Sequence, residues 1–291
     1  MSSRKNGEVW HVLKLVLPVS LHYAVNQLVT IIDNVMIGSL GDASVSAISV
    51  CGTYNWLNMT FTMALSSGVT VIISKLWGAG KKESLKKIMS AVFLVNTLIC
   101  LAFFLITSLF PVQILQIYSN VESIIEPGVT YLNIVRFATF LNGVTMLMLG
   151  LLQAVHNVGI GLYVSLLSCF FNIFFNYALI FGKLGFEPMG ITGAALATLI
   201  TRAVEFVICV VYIFFIEKEL KFRPGDFDPR INSRQVAELT AIPVPIMLIE
   251  VQSNLASSVQ TIIAGHISEY YISANSIVHM SWMLTNLFMG S

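Results

Sequence analysis

Leu85–Phe110 reads LKKIMSAVFLVNTLICLAFFLITSLF, and after Lys87 it carries no charged residue. A helix needs roughly 20 apolar residues to cross about 30 Å of hydrocarbon, and this run is long enough. Five more segments of the same kind make six complete spans: Val12–Ile37, Val45–Leu76, Pro127–Val155, Val158–Phe181 and Gly190–Ile216 join it. A seventh covers Val236–Ala264, and an eighth starts near Tyr270 and reaches Ser291, the last residue given. Composition agrees, with 56% hydrophobic and 11% charged residues and a mean hydropathy of +0.81. So few charges could not cover a water-exposed surface. The net charge of +1 gives no basis for a nucleic-acid partner.

The basic residues divide sharply between alternate loops. Arg4, Lys5 and Lys14 precede or open the first span; Lys75, Lys81, Lys82, Lys86 and Lys87 follow the second. Lys218, Lys221, Arg223, Arg230 and Arg234 follow the sixth, whereas the other side holds only Lys183. By the positive-inside rule the N-terminus and the basic loops are cytoplasmic, and Asp42, Glu122 and Glu126 lie outside. The expected location is the cytoplasmic (plasma) membrane, crossed many times.

An internal repeat organises the chain. Pro18 and Gly38 are 20 residues apart in the first span, and Pro245 and Gly265 are 20 apart in the seventh. At the same offset of 227, Val45–Val50 (VSAISV) lies over Ile272–Ile277 (ISANSI). Six spans separate the copies, so both run in one direction, the parallel-repeat plan of several transporters. The expectation is an all-α polytopic membrane protein. It has a six-helix N-terminal lobe over residues 1–216 and a cytoplasmic inter-lobe loop over 217–235. Residues 236–291 supply helix seven and part of helix eight of a second lobe. On this reading the chain is a fragment of a two-lobe protein, completed by the rest of that lobe or by another chain.

Polar residues inside the spans fall on stripes at helical spacing. His22, Asn26, Thr30 and Asp33 form one, and Asn55, Asn58, Thr62 and Ser66 a second. Ser165, Ser168, Asn172 and Asn176 form a third, and Glu250, Asn254, Ser257 and Thr261 mark the seventh span. Three stripes in one lobe predict a partly hydrated central cavity. Single Ser and Thr residues are explained by helix–helix adhesion, but a carboxylate in hydrocarbon such as Asp33 asks for a function. At 1.5 Å per residue Asp33 and Asn176 reach similar heights, about 30 and 27 Å above the cytoplasmic starts of their helices, so they can meet in the outer half. Asp33 is therefore the candidate proton-coupling group. Arg202 and Glu205, three apart, read as a structural ion pair, and Gly193–Thr198 (GAALAT) as a close-packing surface. Cys51, Cys100, Cys169 and Cys209 lie singly in apolar runs and read as small hydrophobes. No HExxH or GxSxG motif is present, so no enzyme activity is expected.

Several short stretches, in order, carry a resemblance. They are Leu17-Pro18, Asp33-Asn34-Val35-Met36-Ile37-Gly38, Leu40-Gly41 with Ser46-Ala47, and Trp77-Gly78-Ala79-Gly80-Lys81. Asn172–Gly182 (NIFFNYALIFG), Gly190–Thr198 with Arg202, and Pro245–Glu250 with Gly265 extend the set over nearly the whole chain. Together they resemble the multidrug and toxic compound extrusion (MATE) transporters. The resemblance implies a twelve-helix antiporter exporting small organic cations and drugs in exchange for H+ or Na+, with no other cofactor. It places the family's helix-one Asp on Asp33, its helix-five Asn on Asn172, an outer aromatic on Tyr131 and its helix-seven Glu on Glu250, where Na+ is a possible ligand. The cavity-lining polar set is then Asn26, Thr30, Tyr131, Asn172 and Asn176. Two positions depart from the pattern. Asn176 stands where related proton-coupled members carry Asp, and Ser74-Lys75-Leu76 stands where a Gln is common. The alternatives are a flippase for lipid-linked saccharides and an inactive truncated half-transporter. The flippase would call for more intramembrane cations than Arg136 and Arg202. A seven-helix receptor is opposed by the repeat and by the absence of paired extracellular cysteines.

Overall fold

The computed structural model describes residues 20–278, apart from 23, 156–158, 218–219, 221, 223, 242, 268–269, 272–273 and 275–276. Arg4, Lys5, Lys14, Pro18, Lys218, Lys221, Arg223 and the body of the eighth span lie outside the described residues. The described residues form helices, turns and irregular segments, with no strand among them. The first helix, α1, covers residues 20–22 and 24–38. The next are α2 (Asp42–Gly78), α3 (Lys82–Leu109), α4 (Pro111–Tyr118), α5 (Glu122–Ala154), α6 (Gly159–Phe181) and α7 (Gly190–Val211). After them come α8 (Ser233–Ala241) and α9 (Pro243–Ile267). Six helical segments among the described residues are long and apolar enough to cross a membrane: α2, α3, α5, α6, α7 with its extension to Ile216, and Gln235–Ile263. The protein is a multi-pass membrane protein. Leu98, Leu105, Leu166, Phe170 and Val207 point outward, as lipid-facing side chains do.

Two features refine the sequence reading. α4 was not anticipated: Phe110 ends α3, and Pro111, whose missing N–H suits a first helical position, starts a short helix. Its Ile114, Leu115 and Tyr118 are buried beneath the outer ends of α2 and α5 with Ala47, Cys51, Ile124 and Leu132. α5 begins at Glu122 rather than Pro127, its acidic first turn matching the positive end of the helix dipole.

The inner end has its own apolar cluster, in which Val69, Ile73, Leu85, Ile88, Leu147 and Leu151 bury Leu220 from the segment after α7. Lys86 Nζ reaches Asp226 Oδ2 at 2.7 Å and Lys87 Nζ lies 3.5 Å from Asp228. The ring of Phe227 meets Phe93 edge-on at 6.2 Å. The basic loops after the second and sixth spans therefore lie at the same end of the bundle, as the charge count requires. The Arg230 backbone N–H, followed by the charges of Lys87 and Arg230, holds the Asp228 carboxyl below the usual carboxylate range. A depressed acid contributes above its unfolded value of about 4 and loses that contribution as pH falls through the lower folded value. Amide-exchange protection of residues 226–230 should accordingly hold from pH 8 to pH 5 and weaken only in stronger acid. Asp226→Asn should cost the fold under about 1 kcal/mol, measured by thermal unfolding in detergent, because the pair lies near water.

Candidate functional site

α1 and α6 place their polar stripes face to face. Near the inner side, His22 Nδ1 is 2.9 Å from the Gly161 carbonyl. The Ser165 hydroxyl touches the same imidazole nitrogen. Asn26 Nδ2 donates to Ser165 Oγ at 3.2 Å and to the His22 carbonyl at 3.0 Å. Farther out, Asn176 Nδ2 donates to Asp33 Oδ1 and also approaches Asn172 Oδ1 at 3.3 Å. Asn172 interacts with the Asp33 carboxylate as well. Asn172 and Asn176 are buried. The height argument for Asp33 and Asn176 thus finds its counterpart in a direct hydrogen bond.

The same carboxylate draws in two more helices. Tyr131 of α5 is buried and within electrostatic range of Asp33, and its hydroxyl pairs with Thr198 of α7. Arg202 of α7 holds both oxygens of Glu205, Nη1 to Oε1 at 2.9 Å and to Oε2 at 2.8 Å. That is the ion pair expected from the three-residue spacing. What the spacing missed is that Arg202 also lies in electrostatic range of Asp33. The signal was present in the reach of an arginine side chain, which serves a neighbouring helix as easily as its own.

Other expected positions behave differently. Thr30 turns its hydroxyl back to the Asn26 carbonyl at 3.0 Å, a helix-internal bond that removes its hydrogen from any cavity. The stripe of α2 does not join the other two, which corrects the three-stripe cavity. Thr62 packs at the seam of α3 and α5, its hydroxyl 3.9 Å from Cys100 Sγ. Ser66 faces Gly150, where a β-carbon would lie 2.0 Å from its Oγ. The reason is steric, because glycines on α5 let α2 approach only along that face. Asn55 and Asn58 instead line a small cleft with Tyr54, Thr107, Arg136 and Thr139. Arg136, unexplained by the sequence, stacks its guanidinium against Phe104 at 5.8 Å and Phe137 at 5.2 Å, cation–π contacts that substitute for a carboxylate.

Glu250 is exposed on α9. Of its stripe, Thr261 is buried while Ser257 is exposed. Among the described residues, no group of three or more His, Cys, Asp or Glu is placed to hold a metal ion.

The arrangement — one carboxylate on α1, bonded by Asn176, close to Asn172 and within electrostatic range of Tyr131 and Arg202 — coincides with a family match. The MatE family model covers residues 18–178, more than half of the chain. The chain belongs to the MatE family. MatE proteins are transporters, not enzymes. A probable multidrug resistance protein NorM of Thermotoga maritima is 28% identical over 241 residues, 80% of this chain and 50% of that protein. One of the same description from Agrobacterium fabrum is 24% identical over 255 residues, covering 84% and 52%. The solved outward-facing conformation of a multidrug resistance MATE family transporter of the MOP superfamily superposes with a TM-score of 0.79 at 17% identity. That match covers 95% of this chain and 60% of the other. The chain spans about half the length of the curated relatives it matches.

Proposed function

We propose that this MatE chain acts in a proton-coupled antiporter that moves organic cations and drugs out of the cytoplasm by alternating access, with Asp33 as the coupling group. The observation that carries the reading is the pairing of Asp33 with Asn176. An amide offers one group to each protonation state of a carboxyl. Nδ2 donates to the carboxylate, while Oδ1 is buried and has no hydrogen-bond partner among the described residues. A protonated Asp33 carries the O–H that Oδ1 lacks. A buried acceptor without a donor is costly, so the site has a reason to take up a proton. The relatives named for multidrug resistance support the substrate class.

Glu250 is the second coupling position of this reading, completed by a second lobe or another chain, and Na+ in place of H+ is the variant it admits. On this reading the N-terminus and the basic loops lie in the cytoplasm, and the membrane is the plasma membrane. Arg202 is engaged by Glu205, which leaves few free cations for a lipid-linked pyrophosphate and disfavours the flippase reading.

The test is flux of a fluorescent lipophilic cation across vesicles holding the full chain, with proton and sodium gradients imposed separately. Flux that follows the proton gradient is expected. Flux that follows neither gradient, or transport of lipid-linked anions instead, overturns the reading.

A further inference from the structure

His22 has a neighbour that the coupling reading leaves unused. A carbonyl can only accept, so the 2.9 Å contact with Gly161 puts the ring hydrogen on Nδ1 and leaves Nε2 as the acceptor. Ser165 Oγ donates to the same carbonyl at 3.0 Å, which frees its lone pairs for Asn26. Gln153 of α5 converges here too: a β-carbon on Gly161 would lie 3.5 Å from Gln153 Nε2 and 3.6 Å from His22 Nδ1. From α7, Glu205 lies within electrostatic range of His22, with Arg202 bonded to it and Cys209 near it. α6 contributes no charged group, only Ser165 and the Gly161 carbonyl among its contacts to the ring. Arg202 also lies within electrostatic range of Asp33. Along α1, His22 and Asp33 are separated by about 16 Å of helix.

The charges of these four residues add in a simple way. With Asp33 ionised and His22 neutral the set carries −1, and with both protonated it carries +1. With one proton, at either end, it is neutral. A neutral set is favoured in a medium of low dielectric, where net charge is expensive.

Resting on the reading of Asp33 as a proton-binding group, we propose that Asp33, Arg202, Glu205 and His22 form one charge-balanced cluster holding a single mobile proton, on Asp33 at the outer end or on His22 at the inner end. In the transfer the Asp33 O–H bond breaks and the His22 Nε2–H bond forms, with water as carrier. Arg202 leans toward the new Asp33 carboxylate while Glu205 meets the new imidazolium. His22 is then the point from which the proton leaves toward the cytoplasm.

The test is nitrogen NMR of histidine-labelled full chain in lipid nanodiscs, with the His22 signal assigned by its loss in His22→Gln. In the unmodified protein the neutral form is expected as the Nδ1–H tautomer. In Asp33→Asn, protonating His22 leaves the cluster at +1, so its midpoint should fall by at least one pH unit, a tenfold loss of proton affinity. Glu205→Gln should move it the same way and guards against a folding failure in the first variant. An unchanged midpoint, or an Nε2–H tautomer, overturns the cluster. Loss of export in Asp33→Asn with an unchanged midpoint removes the cluster and leaves the antiporter reading standing. A shifted midpoint with proton-independent export does the reverse.

Discussion

Asp33→Asn should abolish proton-driven export of organic cations, lowering the gradient-dependent rate at least tenfold, to that of empty vesicles. The substitution is nearly isosteric, and its amide oxygen can still accept from Asn176 Nδ2, so the helix contact survives. The protein should therefore insert and purify as before, with a thermal midpoint within a few degrees of the unmodified chain. What disappears is the Asp33 carboxylate at the outer end of the α1–α6 seam, and Asn176 cannot replace it because an amide does not titrate. Ligand affinity at equilibrium should change far less than flux, since coupling and binding are separable properties. Retention of full proton-driven flux in Asp33→Asn shifts the coupling role to Glu250.

Gly193→Leu should damage the fold severely, through α6 and α7 and not through chemistry. A β-carbon at Gly193 would stand 2.5 Å from the Leu179 carbonyl oxygen and 2.6 Å from its carbon. These are backbone atoms, which cannot rotate aside. α6 and α7 must separate, and with them Asn176 on one helix and Arg202 on the other. Overpacking a tight contact costs about 1–3 kcal/mol, and a leucine against backbone belongs at the upper end of that range. The expected result is loss of most monodisperse protein in size-exclusion chromatography after solubilisation. Gly193→Ala should be milder, yet still measurable as a lowered thermal midpoint.

The fold was legible because bilayer thickness imposes one length scale on every span and burying the backbone imposes one structure. Ile216 ends the sixth span in both readings, with a π-helical turn at Tyr212–Ile216 extending α7. α4 escaped notice because eight residues are too few for any membrane criterion. At the site, height alone brought Asp33 and Asn176 together, since helix rise is constant. Height does not give rotation about the helix axis, so spacing alone puts the α2 stripe in a central cavity with the other two; α5 glycines decide that rotation through steric contact. Arg136 was unreadable for a related reason, because one of its aromatic partners, Phe104, lies on α3 and leaves no trace in spacing along α5.

The docked segment after α7 has a mechanical consequence. Leu220, Asp226, Phe227 and Asp228 are fastened to the inner end of the bundle, chiefly on α3, and α8 begins at Ser233. Only Pro229, Arg230, Ile231 and Asn232 lie between. Fully stretched, four residues span about 14 Å. Ile231 in that stretch and Leu239 of α8 pack on the same inner cluster, and Pro243 at the start of α9 sits against Gly68 of α2, so the linker and α8 are both seated on the floor of the bundle and any swing of α9 pivots there.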